Sequence, residues 1–168
     1  MRKLLPVVIT TLMIACTKSS DNPNEVNATD KAFLVQAYQA GKEEIRTGQM
    51  ALSQSANPAI KTLAQNLISG YTDAQSDLLA VASKVGFALT DTFSLRTQTA
   101  STLTALSGDS FDTAYAGSRM RSQMKVLSIF QNELNNGNNT YIRYYYFNKY
   151  VDQVRKYFSQ ADSLSKAL

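Results

Sequence analysis

The stretch Ser110–Leu134, SFDTAYAGSRMRSQMKVLSIFQNEL, constrains the chain most, because it reads as one long helix with a definite inner face. At about 100° per residue, Phe111, Tyr115, Arg119, Ser122, Gln123, Val126, Leu127, Phe130 and Leu134 fall on one side, and Lys125, Ser128 and Gln131 lie opposite. That face is apolar at both ends and polar in the middle. A core face that turns polar halfway belongs to a helical bundle with an internal site, or to one that once had such a site.

The remainder of the chain supplies partners for this helix. A first helix is expected to begin at Thr29 or Asp30, either of which can cap it, and to run to about Ser55. Its inner face carries Phe33, Ala37, Gly41, Glu44, Ile45, Gly48, Ala51 and Leu52. Glu44 is phased between Gly41 and Gly48, on the buried side, so it needs a partner unless it turns out to the surface. Asn57-Pro58 is a cap followed by proline at the first helical position, and a second helix runs from there to about Lys84, with Gly86 placed to stop it. Gly70 lies in mid-helix, where glycine costs about 1 kcal/mol relative to alanine, and so calls for a packing reason.

Phe87 to Phe93 reads as a crossing segment and Leu95 to Leu106 as a shorter, Thr-rich helix. The run 135–139, NNGNN, is a loop. A last helix from about Thr140 buries Phe147, Tyr150, Val151, Val154, Tyr157, Phe158, Ala161, Leu164 and Leu168, while Tyr141 and Tyr144-Tyr145-Tyr146 crowd its start and pack in core and loop. With only 7 Gly and 3 Pro, the expectation is an all-α, ferritin-like antiparallel four-helix bundle with a short extra helix in the crossing connection, formed by residues 30–168.

The amino terminus reads differently. Met1-Arg2-Lys3 followed by a dozen mostly apolar residues is too short to span a bilayer and has the form of a secretory leader over residues 1–15. It ends in Leu12-Met13-Ile14-Ala15-Cys16, which is similar to a bacterial lipobox, and the only Cys of the protein falls where the apolar run stops. The preferred reading is acylation at Cys16, the alternative an ordinary leader whose Cys is incidental. Residues 16–29 are then a lipid-anchored flexible tether, and the address is the cell envelope, with the anchor as the contact to the membrane.

Absences narrow the chemistry. The chain has no histidine, which removes the commonest general base and metal ligand. With a single Cys, it also excludes the usual zinc sites, c-type haem attachment and Ser-His or Cys-His catalysis. Two of the 17 basic residues, Arg2 and Lys3, fall in the leader, leaving 15 against 13 acidic ones. Those are scattered, so nucleic acid is not an expected partner.

The pattern Phe33-x3-Ala37-x3-Gly41-x2-Glu44-x3-Gly48-x2-Ala51, with Asn57-Pro58-x5-Ala64-x2-Leu67, Leu106-Ser107-Gly108-x2-Phe111-Asp112-x2-Tyr115 and Phe158-x2-Ala161, resembles the domain-of-unknown-function 4142 family. Its members are bacterial exported proteins, often labelled outer-membrane proteins. The resemblance implies a ferritin-like bundle and an outer-membrane lipoprotein. Members of that family typically carry histidines at places that here hold Gly70-Tyr71, Gln123, and Val151-Asp152 with Tyr157. Glu44 alone keeps its type.

The function expected is therefore that of a lipid-anchored envelope protein with a degenerate bundle, a non-enzymatic binding or structural module with no cofactor. The rival is a metal-binding or redox protein in which Glu44, Tyr71 and Tyr157 offer a carboxylate and two phenolates to a hard ion. With Glu44 as the one inward carboxylate, the rival ranks second. A carrier of lipid or apolar ligands is a third class. An internal polar cluster of Glu44, Tyr71, Arg119, Gln123 and Tyr157 is expected, with Arg119 either reaching Glu44 or extending its guanidinium into solvent.

Overall fold

The computed structural model describes residues 24–89 and 102–168. The leader, Cys16, the tether up to residue 23, and residues 90–101 of the crossing, including the start of the Thr-rich helix, lie outside the described residues. Among those described, all regular structure is helical.

Helix α1 spans Ala28–Gln54. It is capped by Asn27, not by Thr29 or Asp30. The Asn27 side chain accepts the Asp30 N–H at 2.9 Å, while the Asp30 carboxylate accepts the Asn27 N–H at 2.7 Å. Asn27 prevails because its choice puts Asp30 three residues inside the helix, where the second bond can be returned. Helix α2 spans Pro58–Lys84, with Asn57 Oδ1 accepting the Ala59 N–H at 2.9 Å. It stops where Gly86 adopts φ +71°, a left-handed turn that lets the Phe87 N–H reach the Ala82 carbonyl. Helix α3, Gly108–Asn136, extends beyond the amphipathic run at both ends.

The last helix departs from expectation. Residues Ile142–Phe147 form a π-helical segment, and a regular helix α4 follows over Asn148–Ala167. The wider turn directs Ile142 and Tyr146 into the core and leaves Tyr144 exposed. Within α4, Tyr150, Val151, Val154, Tyr157 and Ala161 are buried. Phe158 and Leu164, like Phe147 before the helix, are only half-buried, and Leu168 is exposed.

Contacts between named residues fix the topology. The Gln75 amide donates to the Tyr38 carbonyl, Arg119 meets Glu44, and the Tyr157 hydroxyl donates to the Asn66 carbonyl. With Gly48 against Ile68, Phe33 against Phe130 and Tyr150 against Asp77 as second contacts, α1 runs antiparallel to both α2 and α3, and α4 antiparallel to α2. Helices α2 and α3 are consequently parallel, so the connection 85–107 joins opposite ends of the bundle, as in ferritin-like folds. A helical turn at 102–104 lies in that connection and buries Leu103.

Two apolar cores fill the bundle. One gathers Phe33, Leu34, Leu78, Val126, Phe130, Ile142 and Tyr146, with the Phe33 and Phe130 rings edge to face at 5.4 Å. The other gathers Ile60, Leu63, Leu67, Phe111, Tyr115 and Ala161. Between them along α1 and α3 lies a layer of polar side chains.

Candidate functional site

The layer is built one helical turn at a time. On α1, Glu44 and Thr47 are three residues apart and therefore share a face. On α3, Arg119 and Gln123 are four apart, with Ser118 and Ser122 beside them. Glu44, Thr47 and Gln123 are 0 % exposed and Arg119 is 1 % exposed. Arg119 Nη1 lies 3.0 Å from Glu44 Oε1 and donates to the Thr47 hydroxyl at 2.7 Å. Its Nε donates to Ser118 Oγ at 3.3 Å. The Ser122 hydroxyl donates to the same oxygen of Glu44. Thr47 in turn donates to the Glu43 carbonyl at 2.7 Å, which fixes its rotamer to receive the guanidinium.

Burial opposes the Arg119 charge, but Glu44 and Tyr115 beside it outweigh that, and its pKa is raised. The guanidinium sits over the Tyr115 ring, 5.6 Å from the centroid. Burial, and then the Glu44 charge, raise the pKa of the Tyr71 hydroxyl well above its ordinary value. It remains a neutral donor and gives its hydrogen to Gln123 Oε1 at 2.7 Å.

Tyr157 does not join this cluster. Its hydroxyl donates to the Asn66 carbonyl at 2.9 Å and accepts from Gln153 Nε2 at 2.7 Å. It gets there over Gly70, one turn beyond Asn66, where a Cβ would collide with the Tyr157 hydroxyl. That is the packing reason for a glycine in mid-helix. The Tyr71 and Tyr157 rings are neighbours at 6.0 Å, but their hydroxyls serve different partners.

Glu44 is not the only inward carboxylate. Asp30, Asp112 and Glu133 are also buried. Asp30 accepts the backbone N–H groups of Asn27, Asn138 and Asn139, and so ties the start of α1 to the loop after α3. Among the described residues, the Glu133 oxygens meet no N–H or hydroxyl donor. The group that acts on them most directly is the Asp30 carboxyl. Burial, then the bond to Asp30 and its charge, push the Glu133 pKa up to about 8, against the weaker pull of Arg143. Two carboxyls can bond only through a retained proton. The same end holds residues 24 and 25, expected to belong to a free tether: the side-chain amides of Asn139 and Asn138 donate to the Asn24 and Glu25 carbonyls at 2.8 and 3.0 Å.

The sequence over residues 15–164 matches the family described as Domain of unknown function (DUF4142). The chain belongs to the DUF4142 family. No curated protein and no solved structure matches it. In this DUF4142 protein the interior donors do not fit a metal ion. One Glu44 oxygen is held by a guanidinium and a serine, so a fixed positive charge already stands beside the carboxylate. Tyr71 is a neutral donor to Gln123, and Tyr157 is turned to a backbone carbonyl. Among the described residues, no three His, Cys, Asp or Glu side chains are grouped to hold a metal. No helix among them is long and apolar enough to cross a membrane.

Sequence reasoning had not singled out Thr47, Ser118 or the Asp30–Glu133 pair. Thr47 had a readable signal, its place one turn from Glu44 on the same face. The carboxyl pair had none, because it joins residues more than a hundred positions apart.

Proposed function

We propose that this DUF4142 chain is an exported, lipid-anchored envelope protein whose bundle is a non-enzymatic binding module. The observation that carries the reading is the Glu44–Arg119 ion pair, with both side chains closed off from solvent. In ferritin-like bundles the corresponding interior is where carboxylates and histidines converge on metal. Here the carboxylate is neutralised by arginine, the two tyrosines are committed to other hydrogen bonds, and the layer is a fixed structural element. Export and anchoring rest on the leader and on Cys16 at its end.

The test has two arms. Expressed in a bacterium, the full chain should incorporate labelled fatty acid and fractionate with membranes, and Cys16→Ser should abolish both. A Cys16→Ser product that is still processed and membrane-bound refutes the anchor. In the second arm, ferric iron added to the purified protein should give no phenolate charge-transfer band. An intense visible band lost in Tyr71→Phe would replace this reading with the metal-binding one.

A further inference from the structure

A groove of about 500 Å³ lies between α1 and α3, along the solvent-facing edge of the polar layer. Arg119 and Ser122 contribute to its lining, so its floor is the group that Glu44 and Thr47 hold in place. Two more cations line it from the exposed side of α3. Arg121 and Lys125 are four residues apart and hence adjacent on the helix surface. Neither has an ion-pair partner among the described residues. The acid that faces them across the groove, Glu43, is bonded to Arg46 at 2.9 Å. Glu44 balances Arg119. The mouth is therefore left with an uncompensated positive charge from Arg121 and Lys125.

The opposite end is different in character. There Ala40 and Ile129, with the edge of the buried Val126, give the groove apolar surface that continues from Lys125 and is flanked on α1 by Gln36 and Gln39. An ordinary solvated lysine or arginine stands on a convex surface. These two border a concavity in the size range of small-molecule sites, with apolar surface starting beside the charges.

We propose that this groove binds a small anionic amphiphile. Its phosphate or carboxylate head lies between Arg121 and Lys125, and its short apolar chain lies along Ala40, Val126 and Ile129. The proposal rests on the binding-module reading and names the class of its ligand. Arg119 adds no free charge here, since it is already matched by Glu44. Affinity and selectivity for the anion fall to Arg121 and Lys125.

The experiment is calorimetric titration of octyl phosphate, below its micellar concentration, into the full chain carrying Cys16→Ser. Saturable binding with one site is expected. Arg121→Gln combined with Lys125→Gln should weaken it at least tenfold, whereas Lys156→Gln, an exposed cation on α4, should leave it within twofold. Both exchanged residues are exposed, so the variant should keep its circular dichroism spectrum and melting temperature. Inorganic phosphate, which lacks the chain, and octyl glucoside, which lacks the charge, should each bind at least tenfold more weakly than octyl phosphate. Undiminished binding by the double variant, or equal binding of octyl glucoside, overturns the proposal. So does binding of phosphatidylglycerol vesicles through Arg121 and Lys125 when octyl phosphate does not bind, because the cations would then serve a bilayer surface and not a detached molecule. The underlying reading fails separately: membrane fractionation that survives Cys16→Ser removes the anchor, and turnover of octyl phosphate removes the non-enzymatic role, while the groove stands in both cases.

Discussion

Arg119 Nη1 and Glu44 Oε1 stand 3.0 Å apart with neither side chain reaching solvent, so each charge is tolerable in the bundle only while the other is present. Removing one member leaves an uncompensated buried ion, a loss of about 3–5 kcal/mol. Glu44→Gln and Arg119→Met should each lower unfolding stability by that order in urea titrations. The double variant should lose at least ~1 kcal/mol less than the sum, because the second exchange removes a charge already stranded. Strict additivity would mean that the two residues do not interact.

Glu133 gives the protein a pH dependence of unusual sign for an acid. Its pKa rises from 4.5 to about 8 on folding, so between these values the folded protein holds a proton that the unfolded chain has released. Its stabilising contribution is complete below about pH 4.5, declines as pH rises, and is gone once pH has passed through about 8, with a slope of at most ~1.4 kcal/mol per pH unit. Thermal denaturation at intervals from pH 5 to 9 should show the fall. Glu133→Gln, which keeps a donor toward Asp30 without a titrating proton, should flatten it.

Gly70→Ala should destabilise the protein although alanine is the better helix former. The intrinsic gain is about 1 kcal/mol, but the new methyl displaces the Tyr157 hydroxyl from the Asn66 carbonyl, and an unmade buried hydrogen bond costs about 1–3 kcal/mol. Tyr157→Phe, by deleting the hydroxyl, should make the same glycine exchange less harmful. A Gly70→Ala penalty unchanged in the Tyr157→Phe background would show that the clash lies elsewhere.

Asn27→Ala removes the cap of α1 and the bond from the Asn27 amide to the Asn136 carbonyl at 3.0 Å. A loss of about 1 kcal/mol is expected. Asn27→Ser should restore the part due to capping and not the part due to the bridge, which chemical denaturation of the three proteins can separate.

Much of this architecture is legible in helical phase alone. The period places Glu44 and Arg119 on inward faces, and Asn57-Pro58 and Gly86 mark the limits of α2. The buried tyrosine at 157 is also visible, but not its partner, since the route to Asn66 opens only because α4 crosses α2 at a residue without a side chain. The cap of α1 is misplaced by sequence, because Thr29 and Asp30 are both competent caps and only the reciprocal bond with Asp30 singles out Asn27. The π-helical segment escapes notice because a change from four- to five-residue hydrogen bonding leaves little trace in the sequence IRYYYF. Asp30 reads only as a candidate cap and Glu133 carries no signal, and only closure of the bundle brings one against the other.

The Asn139–Asn24 hydrogen bond has a consequence for how such a molecule would stand on a membrane. It holds residue 24 against the loop between α3 and α4, and Cys16 stands eight residues earlier in the sequence, a contour of roughly 28 Å at full extension. With an acyl anchor at Cys16, as proposed, that stretch acts as a short leash on one pole of the bundle. The groove beside Glu44 lies about 21 Å up α1 from Asp30. That spacing from the tethered pole is set by the helix, whichever way the bundle turns on its leash.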